Sequence, residues 1–242
     1  MGCIREFIHL AYEDGNELEC SGHAQQPGVY CSHELTPSEY LDFAQRDLIT
    51  KKSSIFHRAG NSISNSKKAI DCRAVDILNY WGINDYDENK KWLDFTEKAK
   101  ILASLGISTP QLISRINTYR NKVEHSFQIA KLDDARDFIE IAELYLGYTS
   151  RYIPKLYDYD EDNPKIYLGD YNQFSDHTQP TYEDTTFTLS LKRNDAIIIV
   201  LKHHSYSDDR KSIITEQSVE YLKNPQLYAE LVKAYYFIHV TK

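Results

Sequence analysis

The hydrophobic period of the chain changes near residue 150, and this change most limits the fold. Apolar side chains in residues 36–150 recur at the spacing of amphipathic helices, whereas residues 165–242 contain alternating and β-rich runs. An acidic stretch bounded by Pro154 and Pro164 separates them and is typical of a linker or a surface loop. The pattern predicts an α+β chain with an N-terminal extension (1–35), an all-α bundle (36–153) and a small mixed α/β region (165–242).

Start and stop signals divide the bundle into four or five helices. Thr36 followed by Pro37 and Glu39 predicts a helix start with a capping box. A polar stretch at residues 51–65 is predicted to be a loop, and glycines at 82 and 106 are predicted to end two helices. Short connections between amphipathic helices favour a helical bundle. The further helices are predicted at residues 66–81, 92–105, 109–127 and 132–148.

The C-terminal region is predicted to contain a β-hairpin and a final helix. Residues 186–191 alternate, residues 196–201 form a β-rich apolar run, and a polar turn at 192–195 joins them. Residues 165–169 are a further candidate strand, and residues 225–238 have helical spacing. The first 33 residues are ambiguous, and residues 5–12 are read as a candidate strand.

Composition excludes several classes of protein. The formal net charge of −8 argues against an extended basic surface that binds nucleic acid, although a small basic site is compatible with it. Four cysteines are too few for a disulfide scaffold at 242 residues, which indicates a reducing, cytoplasmic protein. No apolar run reaches the roughly 18 residues of a membrane span, and no secretory signal is evident, so no membrane partner is expected.

Residues 109–127, here called the motif segment, contain the most informative pattern. On a helix, one stripe of apolar side chains spans about 80° and is predicted to face the core. Asn121 and His125 are four residues apart on the roughly opposite face, so His125 is not placed as a core residue. Two non-functional interpretations stay open: His125 is simply solvated, or Arg120 forms an ion pair with Glu124. The stripe consists of Leu112, Ile116, Tyr119, Val123 and Phe127.

The Arg120-Asn121-x3-His125 pattern resembles the signature of the HEPN superfamily (higher eukaryotes and prokaryotes nucleotide-binding). In that family an arginine and a following polar residue precede a histidine late in a helical bundle. The resemblance covers about residues 36–150. The flanking helices also fit: an alanine-containing helix at 66–81 precedes the motif segment, and the helix at 132–148 follows it.

The resemblance implies a metal-independent RNA endonuclease that needs no cofactor, in a defence or toxin–antitoxin system. His125 would take the proton from a ribose 2′-OH, and Arg120 would hold the phosphate as negative charge develops. Asn121 would orient the imidazole or bind a phosphate oxygen. Family members commonly dimerise with their motif helices facing, so a homodimer is expected. Lys122 and Arg115 are candidates for binding the RNA backbone, with a solvated helix face as the alternative.

A second set of residues, near the N-terminus, could hold zinc. Cys20-x2-His23 and Cys31-x-His33 supply four ligands of suitable type around a glycine- and proline-containing turn. The spacing is unusual for a zinc knuckle, and isolated loop residues are the alternative interpretation.

Two other functions stay open beside the ribonuclease. The chain could be a non-catalytic HEPN-fold dimer that binds nucleotide, RNA or a protein partner. It could also belong to a complex, with the bundle as the dimer interface and residues 165–242 contacting an antitoxin or another protein.

Overall fold

The computed structural model describes residues 2–12, 19–20, 33–86, 91–107, 118, 130–152, 165–169, 186–193, 197–206 and 212–241. The chain divides into two compact units. The helical unit comprises Pro27–Pro154, and the mixed unit combines Met1–Gln26 with Lys155–Lys242. This division corrects the expected one at the N-terminus, because residues 1–26 group with the C-terminal region and do not stand apart as an extension.

The described part of the chain is mainly helical, as predicted, with one antiparallel sheet. In chain order the elements are α1 (Gly2–Tyr12), β1 (Glu19–Cys20), α2 (Pro37–Ile49), α3 (Ile55–Tyr80), α4 (Phe95–Ser104), α5 (Leu132–Thr149), β2 (Lys165–Gly169), β3 (Thr186–Arg193), β4 (Ile197–Tyr206), β5 (Ser212–Glu220) and α6 (Pro225–Thr241). The helical unit contains α2, α3, α4 and α5, and a 3-10 turn at Ser150–Tyr152 follows α5.

The predicted helix boundaries at α2, α3 and α4 are confirmed where local signals define them. The Thr36 hydroxyl accepts a hydrogen bond from the Glu39 amide, and the Glu39 carboxylate accepts one from the Thr36 amide, at 3.2 and 2.7 Å. This capping box satisfies donors that the first turn leaves without partners. Gly82 and Gly106 follow α3 and α4 with φ of 67° and 77°, a conformation that glycine adopts without steric cost.

The predicted loop at residues 51–65 is confirmed at residues 51–54 but wrong at residues 55–65, because α3 begins at Ile55 with Ser54 as its cap. The side chains of this first half of α3 are largely polar or small, so its hydrophobic period is weak. Its buried face nevertheless packs closely on α2: Ala59 and Ser62 are fully buried. The Ser62 hydroxyl donates to the Ala44 carbonyl at 2.8 Å, which lets a polar side chain occupy a helix–helix contact.

The core of the helical unit is apolar and draws on α3, α4 and α5. These helices bury side chains against one another, as expected for a bundle of amphipathic helices. Its buried members are Ala59, Ile63, Ala69, Ile70, Phe95, Ala99, Ala130, Ala135, Phe138, Ala142, Tyr145 and Leu146.

The mixed unit contains a five-stranded antiparallel sheet in the order β1-β2-β3-β4-β5. The predicted hairpin is confirmed: β3 and β4 pair with Leu189 opposite Leu201. Strand β5 was not predicted. The candidate strand at residues 5–12 is wrong, since these residues belong to α1.

Helices α1 and α6 pack on each other and on the sheet. Ile4 and Phe7 of α1 are buried three residues apart, which is helical spacing and explains why this segment is not a strand. The Ile4 amide donates to the Gln217 side chain on β5 at 3.1 Å, and Tyr12 stacks near Phe237 of α6 at 4.9 Å between ring centroids. None of the described helices has the length and hydropathy that would let it span a membrane.

Candidate functional site

The predicted catalytic and RNA-binding residues lie outside the described residues: Arg115, Arg120, Asn121, Lys122 and His125. Thr118 is the member of the motif segment that the structure describes, and it is helical and exposed. On the predicted helix, His125 lies about 20° from Thr118 around the axis and Lys122 about 40°. An exposed Thr118 therefore agrees with a polar face directed away from the core.

Both flanks of the motif segment are fixed in the helical unit. Ile107 follows the end of α4, is fully buried and donates its amide to the Leu102 carbonyl at 2.9 Å. On the other side, Ala130 is 3% exposed and belongs to the same core as α3 and α5. The two residues that bracket the motif segment are thus both held by core packing. A helix over residues 109–127 would be about 28 Å long, which suits one further member of the bundle.

A charged cluster joins α3 to α4 near this core. Lys98 Nζ lies 2.7 Å from Asp71 Oδ1, with side-chain exposures of 10% and 33%. Arg73 and Asp71 act on Tyr145 of α5 in opposite directions. Burial raises the pKa of the Tyr145 hydroxyl well above its usual value, Arg73 lowers it and Asp71 raises it further. Tyr145 is therefore protonated at neutral pH and can donate a hydrogen bond, but it cannot serve as a base.

Polar atoms also line one side of α3. Ser66 and Arg73 are seven residues apart and so share a face. Among the described residues, the buried polar atoms without a hydrogen-bond partner include Ser66 Oγ, Arg73 Nε and Tyr145 Oη. The contact that links two helices here is the Lys98–Asp71 ion pair, and we infer that it helps to position α4 against α3.

A different set of side chains converges where the segment before α2 meets α3. Ligand atoms of His33, Cys72 and Asp76 all lie within 4.8 Å of one another. Cys72 and Asp76 are buried, whereas His33 is exposed. The Cys72 thiol donates a hydrogen bond to the Leu35 carbonyl at 3.5 Å, which connects the chain beside His33 to α3. These three side chains supply nitrogen, sulfur and oxygen donors, a set that suits zinc.

The predicted zinc set lies partly outside the described residues, so it stays a prediction. Cys20 lies in β1 of the mixed unit, whereas His33 belongs to the helical unit, and His23 and Cys31 lie outside the described residues. Sequence reasoning missed Cys72 and Asp76 because both fall in the buried part of α3. Their spacing of four residues, which places two ligands on one helix face, was the signal that could have found them.

Comparison with known proteins gave no match among protein-family models, curated proteins or solved structures.

Proposed function

We propose that this chain is a metal-independent RNA endonuclease of the HEPN type that acts as a homodimer through its helical unit. The observation that carries the proposal is the Arg120-Asn121-x3-His125 spacing on an amphipathic segment. Asn121 and His125 share the polar side, and Arg120 lies at the flank of the apolar stripe, from which its long side chain can reach around. This pattern puts an imidazole, an amide and a guanidinium within about one and a half helical turns of one another. The target would be RNA, because the attacking 2′-OH is absent from DNA.

His125 would act as the general base. An imidazole has an ordinary pKa near 6.5, so its neutral form is abundant at neutral pH and can accept the proton of the 2′-OH. The freed oxygen would attack the adjacent phosphorus in line, and the 5′-oxygen of the next nucleotide would leave and take a proton from solvent. The products would be a 2′,3′-cyclic phosphate and a 5′-hydroxyl.

Arg120 would bind the phosphate at which negative charge develops. A guanidinium is charged at all relevant pH values and can hold two phosphate oxygens at once. Asn121, one turn before His125, would orient the imidazole or bind a phosphate oxygen. Lys122 and Arg115 would contact neighbouring phosphates, which supplies a local basic site in a chain of net charge −8.

The surroundings of the motif segment support this proposal. Its flanks at Ile107 and Ala130 are buried in a helical core, and Thr118 is exposed. A polar helix face that points away from its own core can line a groove between two copies of the chain. A composite groove of this kind would bring two copies of Arg120 and His125 to one strand of RNA.

The setting we propose is a defence or toxin–antitoxin system in the cytoplasm. A ribonuclease that acts on cellular RNA requires control, and an antitoxin protein is one partner that would provide it. The four cysteines suit the reducing environment in which such RNA is found.

The decisive experiment incubates purified protein with single-stranded RNA in EDTA. We expect cleavage to survive chelation and to produce a 2′,3′-cyclic phosphate end. His125→Ala and Arg120→Ala should each lower the rate by about 10²–10⁴-fold, the usual contribution of a positioned acid–base or charge-stabilising group. His57→Ala is the matched control, because His57 is an exposed histidine of α3 outside the motif segment. DNA of the same sequence should not be cleaved.

Three results would contradict the proposal. His125→Ala that cleaves RNA as fast as the wild-type protein would exclude the imidazole as the base. RNA binding without cleavage would instead indicate the non-catalytic binding module. Light scattering that shows a strict monomer would exclude a groove shared by two copies.

A further inference from the structure

Residues 33–35 meet α3 at a junction that the proposed ribonuclease chemistry does not use. We propose that His33, Cys72 and Asp76 bind one zinc-class transition-metal ion that fastens the segment before α2 to α3. The site is separate from Arg120 and His125, and its role is structural.

The placement of the ligands is the first argument. Cys72 and Asp76 are four residues apart on α3, so their side chains lie one turn apart on one face. His33 comes from a different part of the chain, which lies close to α3: Cys72 Sγ is 3.5 Å from the Leu35 carbonyl oxygen. Two ligands from a rigid helix and one from an adjacent segment form a chelate that links distant parts of the sequence.

The distances are the second argument. The donor atoms lie within 4.8 Å of one another. Around a tetrahedral zinc ion, nitrogen, oxygen and sulfur donors lie about 3.3–3.7 Å apart, as the usual metal–ligand bond lengths require. Closing the remaining gap of about 1 Å takes side-chain rotation. His33 is exposed, so its ring can make this adjustment without disturbing the core.

The charge and the chemistry of the donor atoms suit a divalent ion of the zinc class. A zinc ion with a thiolate, a carboxylate and a neutral imidazole forms a group of zero net charge, which suits the buried positions of Cys72 and Asp76. Magnesium and calcium prefer oxygen ligands, whereas a thiolate and an imidazole favour zinc and related ions. Binding releases the Cys72 proton to solvent, so the affinity should increase as the pH rises. A water molecule would complete the tetrahedron from the exposed His33 side.

Cobalt titration of the full chain, stripped of metal and kept reduced, tests this site directly. We expect one cobalt ion per chain, a near-ultraviolet thiolate-to-cobalt charge-transfer band, visible bands of tetrahedral strength, and displacement by zinc. Cys72→Ser should abolish the charge-transfer band. His33→Asn should weaken binding by at least about 10-fold, the minimum effect of losing groups that support a metal ligand. Because His33 is exposed, this variant should fold even if a change at buried Cys72 does not.

The controls separate this site from the other candidate ligands. Cys20→Ser should leave the titration unchanged, since the proposed ligands are His33, Cys72 and Asp76. His57→Asn should also have no effect. Zinc should raise the melting temperature of the wild-type chain and of both controls, and at the same zinc concentration it should raise that of His33→Asn less. The proposal is overturned if no charge-transfer band appears, if the band persists in Cys72→Ser, or if Cys20→Ser removes it.

The result is independent of the proposed ribonuclease activity. The cobalt spectrum and the melting temperature require no RNA, so an inactive chain can still bind metal. Conversely, His33→Asn should cleave RNA at the wild-type rate below its melting temperature.

Discussion

Glycine-to-alanine substitution should stabilise the helical unit at two positions and destabilise it at two others. Gly60 and Gly147 lie within α3 and α5, and an added Cβ would meet no heavy atom within 4 Å at either. Gly82 and Gly106 follow helix ends with φ of 67° and 77°, where a Cβ is strained.

The magnitudes follow from these conformations. Alanine is favoured over glycine by about 0.8–1.0 kcal/mol in a helix interior, so Gly60→Ala should raise the free energy of unfolding by about that amount. Gly147 lies near the end of α5, where helices fray, and we expect about half of this gain. A left-handed residue other than glycine costs about 1–2 kcal/mol, so Gly82→Ala and Gly106→Ala should lower the free energy of unfolding by about that amount.

Urea denaturation followed by tryptophan fluorescence measures these changes in the helical unit alone. The chain has two tryptophans, Trp81 and Trp92, and both belong to this unit. Trp81 is 1% exposed, so its emission should shift when the core opens. The midpoint should move while the slope stays constant, as expected for a change in stability without a change in compactness. A lower midpoint for Gly60→Ala, or a higher one for Gly82→Ala, would refute the reasoning.

Two further predictions concern the core and the start of α2. Leu102→Ala should lower the free energy of unfolding by about 2–5 kcal/mol, because Leu102 is fully buried and its truncation leaves a cavity; a loss below 1 kcal/mol in the same urea assay would contradict this. The pKa of the Glu39 carboxyl lies below its usual value, chiefly because the carboxylate accepts a hydrogen bond from the Thr36 amide. The ionised carboxylate therefore stabilises the folded state at pH values above its unfolded-state pKa, and this stabilisation is lost as the pH falls through the folded-state pKa. The wild-type protein should therefore be more stable than Glu39→Gln at pH 7, and urea midpoints should converge at acidic pH; a difference that is constant with pH would exclude this linkage.

Elements with strong local signals were predictable from the sequence. Thr36, Pro37 and Glu39 define the start of α2 through hydrogen bonds within one turn, which any helix at that position would form. The ends of α3 and α4 were predictable from Gly82 and Gly106, because both adopt a positive φ that is costly for other residues. The hairpin of β3 and β4 followed from two β-rich runs around a polar turn.

Elements that depend on distant partners were not predictable. The first half of α3 is held by close contact with α2 through Ala59 and Ser62, and neither residue gives a hydrophobic signal. Strand β5 lies at the edge of the sheet and pairs its backbone with β4, while residues 215, 216 and 218 are exposed, so its alternation is weak. His33 and Cys72 are far apart in sequence, and their approach requires the tertiary contact at Leu35.

The discontinuous mixed unit has a consequence for biosynthesis. Its sheet and its helix pair draw on both Met1–Gln26 and Lys155–Lys242, so a nascent chain holds the first part without its partners while the ribosome translates the intervening codons. The helical unit is contiguous and has all of its residues once Pro154 has left the exit tunnel. Since domains tend to fold in the order in which they emerge from the ribosome, the helical unit should fold first. Until α6 has been synthesised, the face of α1 that contains Phe7, which is buried in the folded protein, stays exposed. Chaperones bind exposed apolar surfaces of this kind.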